Sequence, residues 1–204
     1  MPLSFENQLT MEKTPGYLVT SGAPQRVANM SRDMLLLIVV RDPVTRALSD
    51  YAQASSKRPQ DTRSFEDMAF RNSSTGLVDA DWTGIRIGQY AKHLERWMRY
   101  FPLSRIHVVS GEMLVEDPVF ELQAVQKFLG IRPFIGAQHF FFNQSKGFPC
   151  LRKSPHSEVP RCLGKTKGRS HPQVAPAALQ RLRDFFRPFN QKFYRMVGRD
   201  FGWQ

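Results

Sequence analysis

The sequence predicts an α/β domain built on a mainly parallel central sheet flanked by helices. Three observations point there. The apolar run LLLIVV, residues 35–40, is too short for a membrane span and has the length of a buried strand. It ends on Arg41-Asp42-Pro43, and a helix starting at Pro43 with Asp42 as its N-cap follows from those residue types. A second strand pattern, RIHVVSGE at 105–112, is followed by Asp117-Pro118 and another helical stretch, so strands alternate with helices.

The elements read in chain order as follows. Residues 8–12 (QLTME) suit a short strand leading into Lys13-Thr14-Pro15, and residues 23–30 a short helix. Strand 35–40 and helix 43–54 come next, then a polar loop, SKRPQDTRS, at 56–64. Residues 83–101 carry Ile87, Tyr90, Leu94, Trp97, Met98 and Phe101 at helical spacing, which predicts an amphipathic helix whose aromatic stripe faces the core. The helix after Asp117 runs to Leu129 and stops at Gly130. Residues 134–175 read mostly as loop, and two helical stretches broken near Pro188 complete the chain. With no internal repeat and no low-complexity tract, residues 1–204 read as a single domain.

Composition narrows the partners. The 204 residues hold 41% hydrophobic and 12% aromatic side chains, which excludes a disordered polymer. A net charge of +11 predicts a polyanionic partner: nucleic acid, an acidic membrane, or a sulfated or phosphorylated polymer. The basic residues are densest in RKSPHSEVPRCLGKTKGR, 152–169, although most such charges elsewhere simply face solvent. No nucleic-acid motif accompanies the charge, so nucleic acid is not expected. Cys150 and Cys162, twelve apart, fit either a loop-closing disulfide or two free thiols. Zinc would need more ligands, and His156 and His171 have poor spacing for it, so no metal site is expected. Asn29, Asn72 and Asn143 each begin an Asn-x-Ser sequon, which with the cysteine pair leans towards a secretory compartment. The start, MPLSFENQLTMEKTPGY, has neither signal peptide nor anchor, and these two signals conflict.

The turn after LLLIVV carries the first chemical signal. It places Arg41 and free backbone N–H groups at the carboxyl edge of a sheet, where α/β folds bind anions. Ser49, about two helical turns on, is a second donor within reach. An Arg that merely pairs with a carboxylate at a strand end fits the local pattern equally well.

Four segments extend the signal: EKTPGY (12–17), VVRDPVTRALSDY (39–51), GFPCLRKSPHSEVPRCLGKTKGRSHP (147–172) and RPFNQKFY (187–194). With GQYAKHLERW (88–97), they closely resemble the heparan sulfate glucosamine 3-O-sulfotransferases from about residue 8 to the end. The resemblance implies a P-loop-like sulfotransferase fold in the Golgi lumen. It also implies transfer of a sulfuryl group from 3′-phosphoadenosine 5′-phosphosulfate (PAPS) to the 3-hydroxyl of a glucosamine in heparan sulfate, without a metal. By this resemblance Arg41 and Ser49 hold the donor's 3′-phosphate, a task suited to a forked guanidinium and a hydroxyl. Lys167, Gly168, Arg169, Ser170 and His171 match the second donor-binding segment, where a glycine admits close backbone approach. Lys13, Thr14, Pro15 and Gly16 match the acceptor-cleft lining, with Lys13 placed to stabilise charge on the sulfuryl oxygens. Trp82 and Thr83 match an acceptor-contacting pair, and the family's disulfide falls on Cys150 and Cys162.

Two parts of the family pattern are missing from these residues. There is no Gly-Gly pair, hence no Gly-rich strand–loop–helix to cradle the 5′-phosphosulfate. The Glu general base before a His-Phe-Phe segment is also missing; the local echo His139-Phe140-Phe141 follows Gln138 instead. The expectation is therefore a sulfotransferase domain incomplete at its amino end, lacking the first strand–loop–helix and the membrane anchor. Glu12 is a poor substitute if 8–12 is a strand, because its neighbour Lys13 would then face the opposite way. The alternative function is a non-catalytic heparan sulfate or heparin-binding remnant.

Overall fold

The computed structural model describes residues 5, 8–57, 60, 63–72, 76–145, 147–152, 161–162, 164 and 170–203. A short 3-10 turn at Pro15–Leu18 precedes α1 (Ala23–Met30), β1 (Leu36–Val40) and α2 (Pro43–Lys57). The short helix α3 (Phe65–Ala69) runs into the antiparallel pair β2 (Phe70–Asn72) and β3 (Leu77–Val78). Then come α4 (Thr83–Arg86), α5 (Tyr90–Met98), β4 (Ile106–Ser110), α6 (Met113–Glu116) and α7 (Pro118–Phe128). A hairpin of β5 (Phe140–Asn143) and β6 (Phe148–Leu151) leads to the long α8 (Pro176–Val197).

The centre is the parallel pairing of β1 with β4, in register from Leu36 opposite Ile106 to Val40 opposite Ser110. β4 is buried along most of its length, whereas β1 is covered less completely: Val40 and Ile38 point into the core and Val39 is 61% exposed. One core packs this pair against α5 and the end of α8 through Val40, Tyr90, Leu94, Trp97, Val108 and Phe193. A second core joins α2, α3, α4 and the start of α8 through Val44, Ala47, Phe65, Ile85, Leu182 and Phe186. α8 thus belongs to both cores.

That double role explains why Pro188 does not break the helix as its sequence suggests. Leu182, Phe186, Asn190 and Phe193 are buried along one stripe on both sides of the proline. Each buried aromatic or leucine is worth about 1.5–3 kcal/mol, which together outweighs the roughly 3 kcal/mol cost of an interior proline. The reverse occurs at 83–101, where the expected single helix is two. The chain turns through Ile87-Gly88-Gln89, and a Cβ on Gly88 would stand 2.9 Å from both Phe186 and Pro43. This close approach of α2 and α8 needs a glycine, and the helix restarts at Tyr90 with its apolar stripe still inward. Residues 8–12 form no strand and are exposed. The loop expected at 134–175 contains the β5–β6 hairpin, whose Cys150 is bonded to Cys162. The remaining expected elements, 23–30, 35–40, 43–54, 105–112 and 117–129, lie within a few residues of α1, β1, α2, β4 and α7.

Candidate functional site: an anion cradle at the end of β1

The turn from β1 to α2 is held from several directions. Asp42 caps α2: its Oδ1 accepts from the Val44 N–H at 3.1 Å, and its Oδ2 from the Thr45 N–H at 3.3 Å and the Thr45 hydroxyl at 2.7 Å. Pro43 occupies the first helical position, where no N–H is missed. From the end of β4, the Glu112 carboxylate accepts the Asp42 N–H at 2.8 Å, and the Gly111 N–H donates to the Val40 carbonyl at 2.7 Å. A Cβ on Gly111 would lie 2.9 Å from that carbonyl, so the contact requires glycine. From α5, the Tyr90 hydroxyl donates to the Arg41 carbonyl at 2.8 Å. Burial pushes the Tyr90 phenol up to about 12, so it remains a donor throughout the neutral range.

These contacts fix the Arg41 backbone and leave its guanidinium half exposed, at 47%. Its Nη1 donates to Ser49 Oγ at 3.3 Å, and Ser49 Oγ lies 2.8 Å from His171 Nε2. The fold brings together residues 122 positions apart. His171 is less basic than a free imidazole, first through desolvation and then through the Arg41 charge. The cluster presents a fixed cation, a hydroxyl and an imidazole, with guanidinium N–H groups beyond the one that meets Ser49. A carboxylate, that of Glu112, stays 4.0 Å from Arg41 Nε. This donor set suits a phosphate or sulfate ester. A cavity of about 340 Å³ opens beside it, lined by Arg41, Asp42, Thr45, Glu112, Arg183, Phe201, Gly202 and Trp203. Ser49 and His171 do not line that cavity.

Of the second expected donor segment, Ser170 and His171 are placed, while Lys167, Gly168 and Arg169 lie outside the described residues. Lys13, Thr14, Pro15 and Gly16 are exposed around the start of the 3-10 turn. The stretch after them is anchored on α5, where the Trp97 indole N–H donates to the Leu18 carbonyl at 3.2 Å and Arg96 Nη2 to the Val19 carbonyl at 3.1 Å. Because 8–12 is not a strand, strand alternation says nothing about Glu12. Its carboxylate instead accepts the Thr14 hydroxyl at 2.5 Å. Trp82 is half-buried before α4, edge-on to Phe65 at 5.6 Å, with Thr83 exposed beside it. His139, the echo of the base-bearing segment, is buried with its Nδ1 at 3.1 Å from the Gly136 N–H, so it stabilises a turn.

Sequence reasoning missed Glu112 and Tyr90. Glu112 had only its place just after a strand to mark it, and Tyr90 was absorbed into the aromatic stripe. Among the described residues no group of His, Cys, Asp or Glu has the arrangement of a metal site, and no described helix is long and apolar enough to cross a membrane.

The family model described as the sulfotransferase domain matches residues 19–197. The mouse heparan sulfate glucosamine 3-O-sulfotransferase 3A1 is 61% identical over 203 residues, which is 100% of this chain and 51% of that protein. The human heparan sulfate glucosamine 3-O-sulfotransferase 6 is 55% identical over 203 residues, 100% of this chain and 59% of that protein. The chain therefore spans about half the length of the curated relatives it matches. Among solved structures, a sulfotransferase from Alicyclobacillus acidocaldarius shares the fold with a TM-score of 0.62 at 21% identity, covering 91% of this chain and 63% of that one. The family model over residues 19–197 and these relatives lead to one conclusion: the chain belongs to the sulfotransferase domain family, and its close relatives are heparan sulfate glucosamine 3-O-sulfotransferases.

Proposed function

We propose that the protein containing this chain transfers a sulfuryl group from PAPS to the 3-hydroxyl of a glucosamine in heparan sulfate. The single observation that carries the donor half is the convergence of Arg41, Ser49 and His171 at the carboxyl end of β1. In this reading Arg41 and Ser49 bind the 3′-phosphate of the nucleotide, and Lys167, Gly168, Arg169, Ser170 and His171 belong to the second donor-binding segment. PAPS supplies the reactive S–O bond, which breaks as the glucosamine oxygen bonds to sulfur and adenosine 3′,5′-bisphosphate leaves.

Lys13 neutralises charge on the sulfuryl oxygens, and Thr14, Pro15 and Gly16 line the acceptor beside it. Trp82 packs on a sugar ring next to Thr83. As in phosphoryl transfer, positioning and charge stabilisation carry most of the catalysis. The 5′-phosphosulfate cradle and the general base that takes the hydroxyl proton are not among these 204 residues in the family's form. We place both in the part of the longer relatives that this chain does not span, so the chain forms one domain that needs a further amino-terminal portion. The relatives' polysaccharide substrate, the Cys150–Cys162 disulfide and the exposed side chains of Asn29 and Asn72, each the first residue of an Asn-x-Ser sequon, support a Golgi-lumen location.

The test is sulfur-labelled PAPS with heparan sulfate, added to this chain and to a version extended with the amino-terminal portion of a relative. Label on the glucosamine 3-hydroxyl with the extended protein is the expected result. Label with neither protein, both being folded, overturns the reading. Heparin binding without transfer by the extended version would favour a non-catalytic glycan-binding role.

A further inference from the structure

The segment GQYAKHLERW has no role in the donor cradle beyond the Tyr90 hydroxyl, yet it lines a second cavity of about 290 Å³. The cavity lies between the start of α5 and the turn around α4. Gln89, Arg86, Lys92, His93, Arg96 and Asp81 face it.

Its charge is one-sided. Asp81, the sole carboxylate among its described lining residues, is already paired with Arg71. Lys92 has an aromatic partner, lying 5.0 Å from the centre of the Phe189 ring, and Arg86 contributes its carbonyl to His93. Neither Arg86 nor Lys92 has a side-chain ion pair to a described carboxylate.

Its floor is polar and preset. Gln89 is 2% exposed. A carbonyl can only accept, so His93 Nε2 donates to the Arg86 carbonyl at 3.0 Å, leaving Nδ1 to accept from Arg96 Nη2 at 2.6 Å. His93 is therefore neutral, and burial followed by the charges of Arg96, Arg86 and Lys92 makes it less basic. Arg96 Nε is buried without a hydrogen-bond partner among the described residues. Two exposed cations without described ion pairs, set over a neutral, hydrogen-bonded floor, are what an anion site requires before its ligand arrives.

The cavity also has an address. Arg86 is in the same short helix that Trp82 precedes, and Arg96 is bonded to Val19, just beyond the Lys13–Gly16 segment. Both segments are those the proposed function assigns to the acceptor.

We propose that the Arg86–Lys92–Arg96 cavity is a subsite for a sulfate group of the acceptor polysaccharide, on a sugar other than the one modified. The proposal rests on the heparan sulfate reading. Arg86 and Lys92 supply the charge, over a floor that Gln89, His93 and Arg96 form. The subsite would select acceptors by their existing sulfation.

The experiment measures binding of a heparin-derived oligosaccharide to the chain and to Arg86→Ala, Lys92→Ala and Arg195→Ala, the last an exposed arginine on α8 that removes the same charge. All three positions are exposed, so the variants should fold. Each of the first two should weaken binding about tenfold, as loss of a charge-assisted hydrogen bond does, and Arg195→Ala less than about twofold. A chemically desulfated oligosaccharide should bind weakly and respond equally to all three. Equal losses for the sulfated ligand would mean general charge attraction and overturn the subsite. Weaker inorganic sulfate binding in Lys92→Ala with unchanged oligosaccharide affinity would make this a free-anion site and overturn the polysaccharide assignment. Failure of the unmodified chain to bind heparin better than neutral dextran would instead sink the heparan sulfate reading beneath it.

Discussion

Replacing Arg199 by alanine should destabilise the chain by about 3–5 kcal/mol, because it would strand a buried carboxylate. Glu121 on α7 is 0% exposed. One of its oxygens accepts the Ser110 N–H at the end of β4 at 3.2 Å, and the other pairs with Arg199. The second partner is its only cation among the described ion pairs. Ser110 in turn donates from its hydroxyl to Glu112 at 3.3 Å, so the pair also supports the β4 end of the anion cradle. For a domain of this size each kcal/mol corresponds to about 2–4 °C, so thermal unfolding should shift down by roughly 6–20 °C. Glu121→Gln in the Arg199→Ala background removes the uncompensated charge and keeps an acceptor for Ser110. It should restore much of the loss. Urea unfolding of the wild type, Arg199→Ala and the double variant measures this. A single-variant loss under about 1 kcal/mol, or a double variant no better than the single, would refute the claim that this pair is an ionic anchor.

Other outcomes follow from the same contacts. Arg41→Ala should weaken adenosine 3′,5′-bisphosphate binding by about 10–100-fold in calorimetry, with Arg41→Lys intermediate because an ammonium keeps the charge and loses the fork. Tyr90→Phe, which deletes the donor to the Arg41 carbonyl, should cost about 0.5–1.5 kcal/mol in urea unfolding. His93, His107 and His171 are all less basic when folded, chiefly through desolvation. The unfolded chain therefore takes up protons first, and stability should fall as pH drops below about 6.5, down through the folded values. His93→Gln should flatten part of that decline in a series of urea titrations; an unchanged slope would show that His93 is not a source of it. Reducing the Cys150–Cys162 bond, which closes a short loop, should cost on the order of 3 kcal/mol.

The parts of the fold legible in the sequence are those specified by short-range chemistry. β1 and α2 are readable because an apolar run meets a capping Asp and an N1 Pro, and α7 because Asp117 and Gly130 mark both ends. What is not legible depends on packing between distant segments. Pro188 ends a helix by local rules, but the two cores hold α8 together through it. Gly88 breaks a regular helical stripe because Phe186 and Pro43 approach from elsewhere. The site divides in the same way. Arg41 and Ser49 share one turn and helix, so their meeting is predictable, whereas His171 arrives from a distant segment and needs the family resemblance. Glu112 carries no motif and Tyr90 reads as one member of the aromatic stripe; only the contacts from β4 and α5 to the Arg41 turn reveal their part in the site. The expectation that Glu12 points away from Lys13 loses its basis, because residues 8–12 form no strand.

The proposed function stands on Arg41 and Ser49 holding the 3′-phosphate of the sulfuryl donor's nucleotide, with His171 beside them. The most direct test is calorimetric titration of the chain with adenosine 3′,5′-bisphosphate and with adenosine 5′-phosphate, which differ by that one phosphate. Removing the 3′-phosphate should weaken binding at least about tenfold, the loss expected for one charge-assisted contact, and Arg41→Ala should abolish the difference. Equal affinity for the two nucleotides in the wild-type chain would contradict the assignment.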